Sequence, residues 1–262
     1  MYRVHAIAVL IVLLCVSVYG RDTVETAHGG SDHVIGLRFG MNEMKEENLV
    51  PLVHTGFIVT LNYEYRSEGS CFQRILLDLD YSRLETVRES SPLTAQLGLR
   101  ASYSRVFGLI EDGSFNLLIG PAVGISFAGA YFPNWDDSHT YWATTYSLGA
   151  TSMALWRLEN GTRLLGWLSF PLLSLYSRPD PVRQYKLDDI SVGGFARDWN
   201  SNLQAGFWNR AFFFRFSAEY QFPVFGTKMQ AVSYSFGYSR VEGSGGNPVF
   251  QISHQIGLSV LL

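Results

Sequence analysis

The chain has 262 residues, 15% of them aromatic and only 16% charged, with 25 glycines and a net charge of −3. Soluble domains carry about 25% charge, so this chain is short of the groups that solvate a surface. The charge balance also excludes nucleic acid as the main partner, because such binders show a basic patch or domain.

The N-terminus reads "MYRVHAIAVLIVLLCVSVYG". Arg3 precedes an apolar run from Ala6 to Val18, and the small residue Gly20 follows. That order is the layout of a cleavable secretory signal over 1–20. The alternative is a membrane anchor, for which the run is at the lower limit of length. Leu14, not a small residue, precedes Cys15, so lipoprotein processing is not expected. The mature chain then starts near Arg21 with a short periplasmic tail over 21–33. It keeps one cysteine, Cys71, which is too few for an intrachain disulfide or a cysteine metal cluster. No cofactor is expected. No other run reaches ~18 apolar residues, so no further membrane helix is predicted.

The remaining chain reads in period two. In "FIVTLNYEYR" (57–66), Phe57, Val59, Leu61, Tyr63 and Tyr65 share one face, and Ile58, Thr60, Asn62, Glu64 and Arg66 the other. "CFQRILLDLDYS" (71–82) sets Ile75, Leu77, Leu79 and Tyr81 against Arg74, Leu76, Asp78 and Asp80. "PLTAQLGLRASYS" (92–104) sets Leu97, Leu99, Ala101 and Tyr103 against Gln96, Gly98, Arg100 and Ser102. "AFFFRFSAEYQF" (211–222) sets Phe212, Phe214, Phe216, Ala218 and Tyr220 against Arg215, Ser217, Glu219 and Gln221, with Phe213 out of pattern. "KMQAVSYSFGYSR" (228–240) sets Val232, Tyr234, Phe236 and Tyr238 against serines and Gly237. A transmembrane β-barrel strand alternates in this way, apolar toward lipid and polar or small toward the lumen.

Eleven strands are predicted, near 34–41, 53–66, 71–85, 93–107, 115–131, 141–157, 162–176, 202–209, 211–222, 228–241 and 249–262. Bacterial single-chain barrels have even numbers, so a further strand within 182–198 would give about 12; the alternatives are 10 and 14. "SEGS" (67–70), "EDGS" (111–114) and "ENGT" (159–162) are short hairpin turns. Longer connections are predicted at 42–51, 86–92, 133–140 and 177–200. Pro121, inside a strand, predicts a bulge or strand end. The fold expected is thus all-β, an antiparallel up-and-down transmembrane barrel over 34–262. A soluble sandwich or lipocalin-like barrel would invert the faces, with Lys and Glu outward.

The last residues, "QIGLSVLL", resemble the C-terminal strand of bacterial outer-membrane barrels: a polar residue, a glycine two on, then alternating hydrophobics to the last position. Gln255, Gly257, Val260 and Leu262 match, although the family usually closes on an aromatic residue. The resemblance implies recognition by the barrel assembly machinery and residence among outer-membrane lipids. "SPLTAQLGLRASYSR" followed by "FNLLIGPAVGISFAG" is similar to paired strands in the OmpX-like and PorT-like barrels of the Bacteroidota. That likeness covers about residues 34–131 and implies architecture rather than activity.

The polar face carries the candidate site. Glu64, Arg66, Arg74, Asp78, Asp80 and Arg100 lie on three consecutive strands, and Arg215 and Glu219 on a later one. Charges at membrane depth must be paired or wetted, so these residues form either an internal ion-pair network or a charged constriction that selects solutes. His139 sits near Asp136, Asp137 and Ser138 in a presumed external loop, where the ligands are adjacent rather than spaced on a frame. Asn200, Ser201 and Asn202 lack the histidine of a barrel lipase pattern. His254 falls on the apolar face, which implies interface depth, a bulge, or contact with another protein. Three functions stay open: a non-enzymatic scaffold or assembly subunit in the bacterial outer membrane, a passive channel for small polar solutes, and more distantly a lipid-modifying enzyme.

Overall fold

A computed structural model describes residues 30–46, 50–86, 94–132, 139–158, 161–178, 200, 202–224, 228–242 and 248–262. The signal region and most of the N-terminal tail lie outside these, as does the segment 182–198. Eleven strands are present: β1 (Ser31–Glu46), β2 (Val50–Glu68), β3 (Phe72–Thr86), β4 (Thr94–Asp112), β5 (Phe115–Phe132), β6 (His139–Arg157), β7 (Arg163–Ser177), β8 (Gln204–Gly206), β9 (Ala211–Val224), β10 (Lys228–Glu242) and β11 (Pro248–Leu261).

All pairings are antiparallel. They run from β1 through β7 in chain order, then to β9, β10 and β11, and β11 returns to β1. The sheet is therefore a closed ring, which leaves no unpaired edge. Ten strands make it, not about 12. The eleventh, β8, has three residues and pairs only with β7, at Ser174↔Gly206 to Tyr176↔Gln204.

The register explains the difference. β9 pairs with β7 from Arg163↔Gln221 to Ser169↔Arg215 and no further. Ser169 and Ser174 are five residues apart on β7, whereas their partners Arg215 and Gly206 are nine apart. Four residues, Phe207 to Arg210, stand out of the ladder as a turn in which Arg210 N and Ala211 N both donate to Phe207 O. So β8 and β9 form one interrupted stave, and the even count comes from merging two predicted strands. Beside the interruption, β7 has a bulge: Leu148 faces Leu173 and Gly149 faces Pro171. Trp208 Nε1 donates to the Pro171 carbonyl at 2.8 Å.

Pro121 lies within β5, in register with Ala150 of β6. On the β4 side the ladder passes from Ser104↔Ala122 to Phe107↔Ile119 with no pairs between. The missing imino hydrogen thus interrupts the ladder without ending the strand, and the bulge sits further along, at Gly108/Ile110. The 42–51 connection is also corrected. β1 runs to Glu46 and β2 starts at Val50, so Glu43 and Lys45 are ladder residues. Strands of 14 to 19 residues outrun the ~9–11 that a bilayer needs, and their ends carry charges beyond it. The connections that follow β2, β4, β6 and β9 lie at one end, the turn end, where β1 begins and β11 finishes. The remaining connections lie at the other. Gly113 and Gly161, at φ 46° and 74°, take the left-handed backbone two of the turns require.

The wall is apolar outside and polar inside. Leu61, Leu99, Ile256 and Leu258 are 53–68% exposed, while Thr60, Asn42 and Asp78 are at most 1% exposed. A contiguous apolar belt of this extent is stable only where something other than water covers it. Aromatic rings flank the belt: Tyr63, Tyr65, Tyr220 and Trp156 toward the turn end, and Phe57, Tyr81, Phe127 and Tyr131 toward the loop end. The chain is a membrane-spanning β-barrel, and the soluble alternative, which needs the opposite wall, does not fit.

Candidate functional site: the charged lumen

Side chains alternate along each strand, so every second residue of the ring projects inward. The inner residues differ from one side to the other. β1 to β4 and β9 contribute long charged and amide side chains. β5, β6 and β10 contribute Gly124, Ser126, Ala128, Ser147, Gly149, Ser235 and Gly237. The inner surface is therefore bulky and charged along β1 to β4 and β9, and thin and hydroxylated along β5, β6 and β10.

The eight charged residues proposed from sequence all project inward, and they gather into two groups. In the group nearer the turn end, Arg66 and Arg74 sit directly opposite each other on β2 and β3. Two like charges so placed repel, and Glu64 resolves this by accepting from both. Arg74 donates Nε and Nη2 to the two Glu64 oxygens at 2.9 and 2.6 Å. Arg66 donates Nε and Nη2 to Glu64 Oε2 at 2.9 and 2.7 Å. Arg66 also grips Glu219 through Nη1 and Nη2, at 2.8 and 2.7 Å. Bidentate pairing of this kind is the strong form of the charge-assisted hydrogen bond. Glu219 is on β9, four staves round the ring from β2, so this contact crosses the lumen. Gln221 donates to Glu219 Oε1 at 2.6 Å, and the Arg74 guanidinium lies over the Trp167 ring at 4.3 Å.

The second group is centred on Asp78, whose side chain is fully buried. Arg38 Nη2 donates to Oδ1 at 2.5 Å and Asn62 Nδ2 to the same oxygen at 2.8 Å. Arg100 Nη1 donates to Oδ2 at 3.1 Å, and Arg215 Nη1 lies 2.6 Å from Oδ2. Arg215 comes from β9 and Asp78 from β3, diametrically opposite staves of the ten-stave ring. Asp80 lies 3.8 Å from Arg100 Nη2 and accepts from Thr60 Oγ1 at 2.5 Å. The same hydroxyl is 3.1 Å from Gln255 Oε1.

Arg38 and Gln255 are the members that the sequence reading of the charged face left out. "VIGLRFGMN" alternates Ile35, Leu37, Phe39 and Met41 against Gly36, Arg38, Gly40 and Asn42, so the signal for Arg38 was present. Gln255 and Gly257 of the C-terminal pattern face inward, while Val260 and Leu262 face outward. Gly257 is opposite Arg38 in the ladder, and a Cβ there would meet Arg38 Cγ at 2.4 Å and Ser233 Oγ at 2.8 Å. The glycine leaves the space through which Arg38 reaches Asp78.

Apolar layers lie beyond both polar groups. Toward the turn end, Phe72 and Val106 of β3 and β4 meet Met153, Leu155, Leu165 and Trp167 of β6 and β7. Toward the loop end, Met44, Leu84 and Val249 meet Ala130, Tyr141 and Ala143 from the facing wall. Phe213, out of pattern in the sequence, turns inward and packs on Tyr176, Ala211 and Val241. Between the layers a cavity of about 180 Å³ lies against the thin wall, bordered by Arg100, Arg215 and serines including Ser102, Ser126, Ser147 and Ser235.

His254 is neither at a bulge nor at a strand end. It lies in mid-strand between Met41 of β1 and Phe236 of β10, exposed on the outer wall. Its Nδ1 is 2.8 Å from the Tyr234 hydroxyl, and its ring packs 5.0 Å from that of Phe236. His139 begins β6; the adjacent Asp136, Asp137 and Ser138 lie outside the described residues, as does Ser201. Among the described residues no three His, Cys, Asp or Glu side chains gather to hold a metal ion.

No protein-family model matches the chain, and no curated protein matches it. Among solved structures, it is similar to the outer membrane protease OmpT from Escherichia coli (9% identity, TM-score 0.44, 91% of this chain and 99% of that one). It is also similar to the translocator domain of the autotransporter NalP from Neisseria meningitidis (11% identity, TM-score 0.45, 97% and 95%). A FadL homologue from Pseudomonas aeruginosa matches at 9% identity and TM-score 0.33, over 88% and 90%. Similarity at these scores adds nothing to what the chain's own strands show.

Proposed function

We propose that this chain is an integral outer-membrane β-barrel of a Gram-negative bacterium, working as a non-enzymatic structural or scaffold barrel with at most a narrow lumen. The observation that carries this reading is the Arg215–Asp78 contact, 2.6 Å long, between opposite staves. Side chains that meet across the full diameter divide and narrow the bore at that level, and apolar layers lie above and below. The C-terminal pattern supports delivery by the barrel assembly machinery, and the paired strands of 34–131 support a source among the Bacteroidota. A partner protein in the outer membrane or periplasm is best met at the polar His254–Tyr234 pair, since a lipid tail offers it no hydrogen bond.

The serine-lined cavity favours the second reading, a passive channel for small polar solutes. Planar-bilayer conductance separates the two. The scaffold reading expects electrical silence. A steady open-channel current that changes with Arg100→Ala would overturn it in favour of the channel.

A further inference from the structure

The charged group around Asp78 does not balance. Arg38, Arg100 and Arg215 face only Asp78 and Asp80, whereas Arg66 and Arg74 are matched one for one by Glu64 and Glu219. Among the described residues of this group three arginines thus face two carboxylates, and the group borders the cavity. Arg38, Asp80, Arg100 and Arg215 all contribute to its lining.

One buried guanidinium nitrogen in this group also lacks an acceptor. Arg38 Nε makes no hydrogen bond, and Arg38 is only 6% exposed. Arg215 Nη1 lies 2.6 Å from Asp78 Oδ2 and is paired with it. A buried donor without an acceptor costs about 1–3 kcal/mol. Such a donor, in a group where three arginines face two carboxylates, calls for an acceptor that the described residues do not supply. Arg100 and Arg215 converge on the same Asp78 oxygen, so their guanidinium groups stand side by side. Arg100 is 40% exposed toward the cavity and Arg215 20%. Planar guanidinium groups in this disposition match the oxygens of a tetrahedral oxyanion. The serines of the same and neighbouring staves supply hydroxyl donors for its remaining lone pairs.

We infer that the lumen holds a small free oxyanion, of the phosphate or sulfate class, between the Arg100/Arg215 pair and the serine-lined wall. The cavity admits such an ion together with waters. A second cavity of about 80 Å³, bordered by Asp80, Arg100, Ser126 and Gln251, extends toward the loop end and gives the ion a side of approach. This inference is independent of whether the barrel conducts.

The test is a titration of the full chain, refolded in lipid-free detergent micelles, with inorganic phosphate, sulfate and chloride at matched ionic strength, read by calorimetry and by the thermal transition. Phosphate and sulfate should bind saturably and chloride should not. Arg100→Ala, which leaves Arg38 and Arg215 on Asp78, should weaken phosphate binding at least tenfold. Asp80→Asn, which removes the nearest negative charge not fully committed to arginine, should tighten it several-fold; this second variant keeps the test valid if the first folds poorly. Equal effects of all three anions would overturn the inference. So would phosphate binding that neither substitution changes, because the ion would then sit elsewhere.

Discussion

Asp78→Asn is the most informative single change. The substitution keeps the shape of the side chain and removes its charge, so packing is held constant. Asp78 accepts from Arg38 and Asn62 on one oxygen and is approached by Arg100 and Arg215 on the other. With an amide there, three guanidinium groups face one another with only Asp80 nearby. Removing one partner of a buried ion pair costs about 3–5 kcal/mol, because the other charge is left buried and unpaired. Arg38 and Arg215 are both in that position, and Arg100 adds little because it is partly wetted. A loss of about 3–5 kcal/mol is therefore expected, whereas Arg100→Ala should cost about 1 kcal/mol or less, as partly exposed pairs do. Urea unfolding in detergent micelles, followed by tryptophan fluorescence, measures both. The reasoning fails if Asp78→Asn unfolds within about 1 kcal/mol of the parent, or if Arg100→Ala is the more damaging of the two.

Two further changes probe the wall. Gly257→Ala brings a methyl group to 2.4 Å from Arg38 Cγ; overpacking of this kind costs about 1–3 kcal/mol, and the same urea titration should show it, with parent stability counting against the assigned path of Arg38. Leu99→Arg places a charge at a position 54% exposed on the outer belt. In lipid vesicles it should destabilise the barrel by about 2–4 kcal/mol, the cost at a bilayer midplane, whereas a water-facing site would change by less than ~0.5 kcal/mol.

Much of this was legible from period two alone. The inward set Thr60, Asn62, Glu64 and Arg66 and the outward set Leu77, Leu79 and Tyr81 follow from alternation, because a pleated strand permits no other assignment. Alternation assigns a face but not a partner. It put Arg215 on the inner wall without showing that Asp78 would be opposite, because that depends on ring size and register across the whole sheet. The strand number failed for a local reason. Residues 202–209 and 211–222 each read as a strand, and only the Trp208–Pro171 bond and the four-residue turn make them halves of one stave. The charges of Glu43 and Lys45 suggest a loop, but a ladder that rises past the lipid carries charge at no cost. Alternation also places Arg38 on the inner face, so the three arginines around Asp78 and Asp80 are legible in the sequence, although their convergence is not.

The interrupted stave bears on how the ring would come apart. The seam that joins β1 to β11 is among its long ladders, running from Val34↔Leu261 to Glu46↔Val249. The seam between β7 and β9 stops at Ser169↔Arg215, and above it only the three residues of β8 hold β7. Hydrogen-bonded staves separate by unzipping, and the resistance scales with the length of ladder to be undone. A sideways load on this barrel would therefore not open it where β1 meets β11. It would part it in the interior, at Phe170 to Leu173, where β7 has no partner on that side and a single indole nitrogen, that of Trp208, holds the backbone.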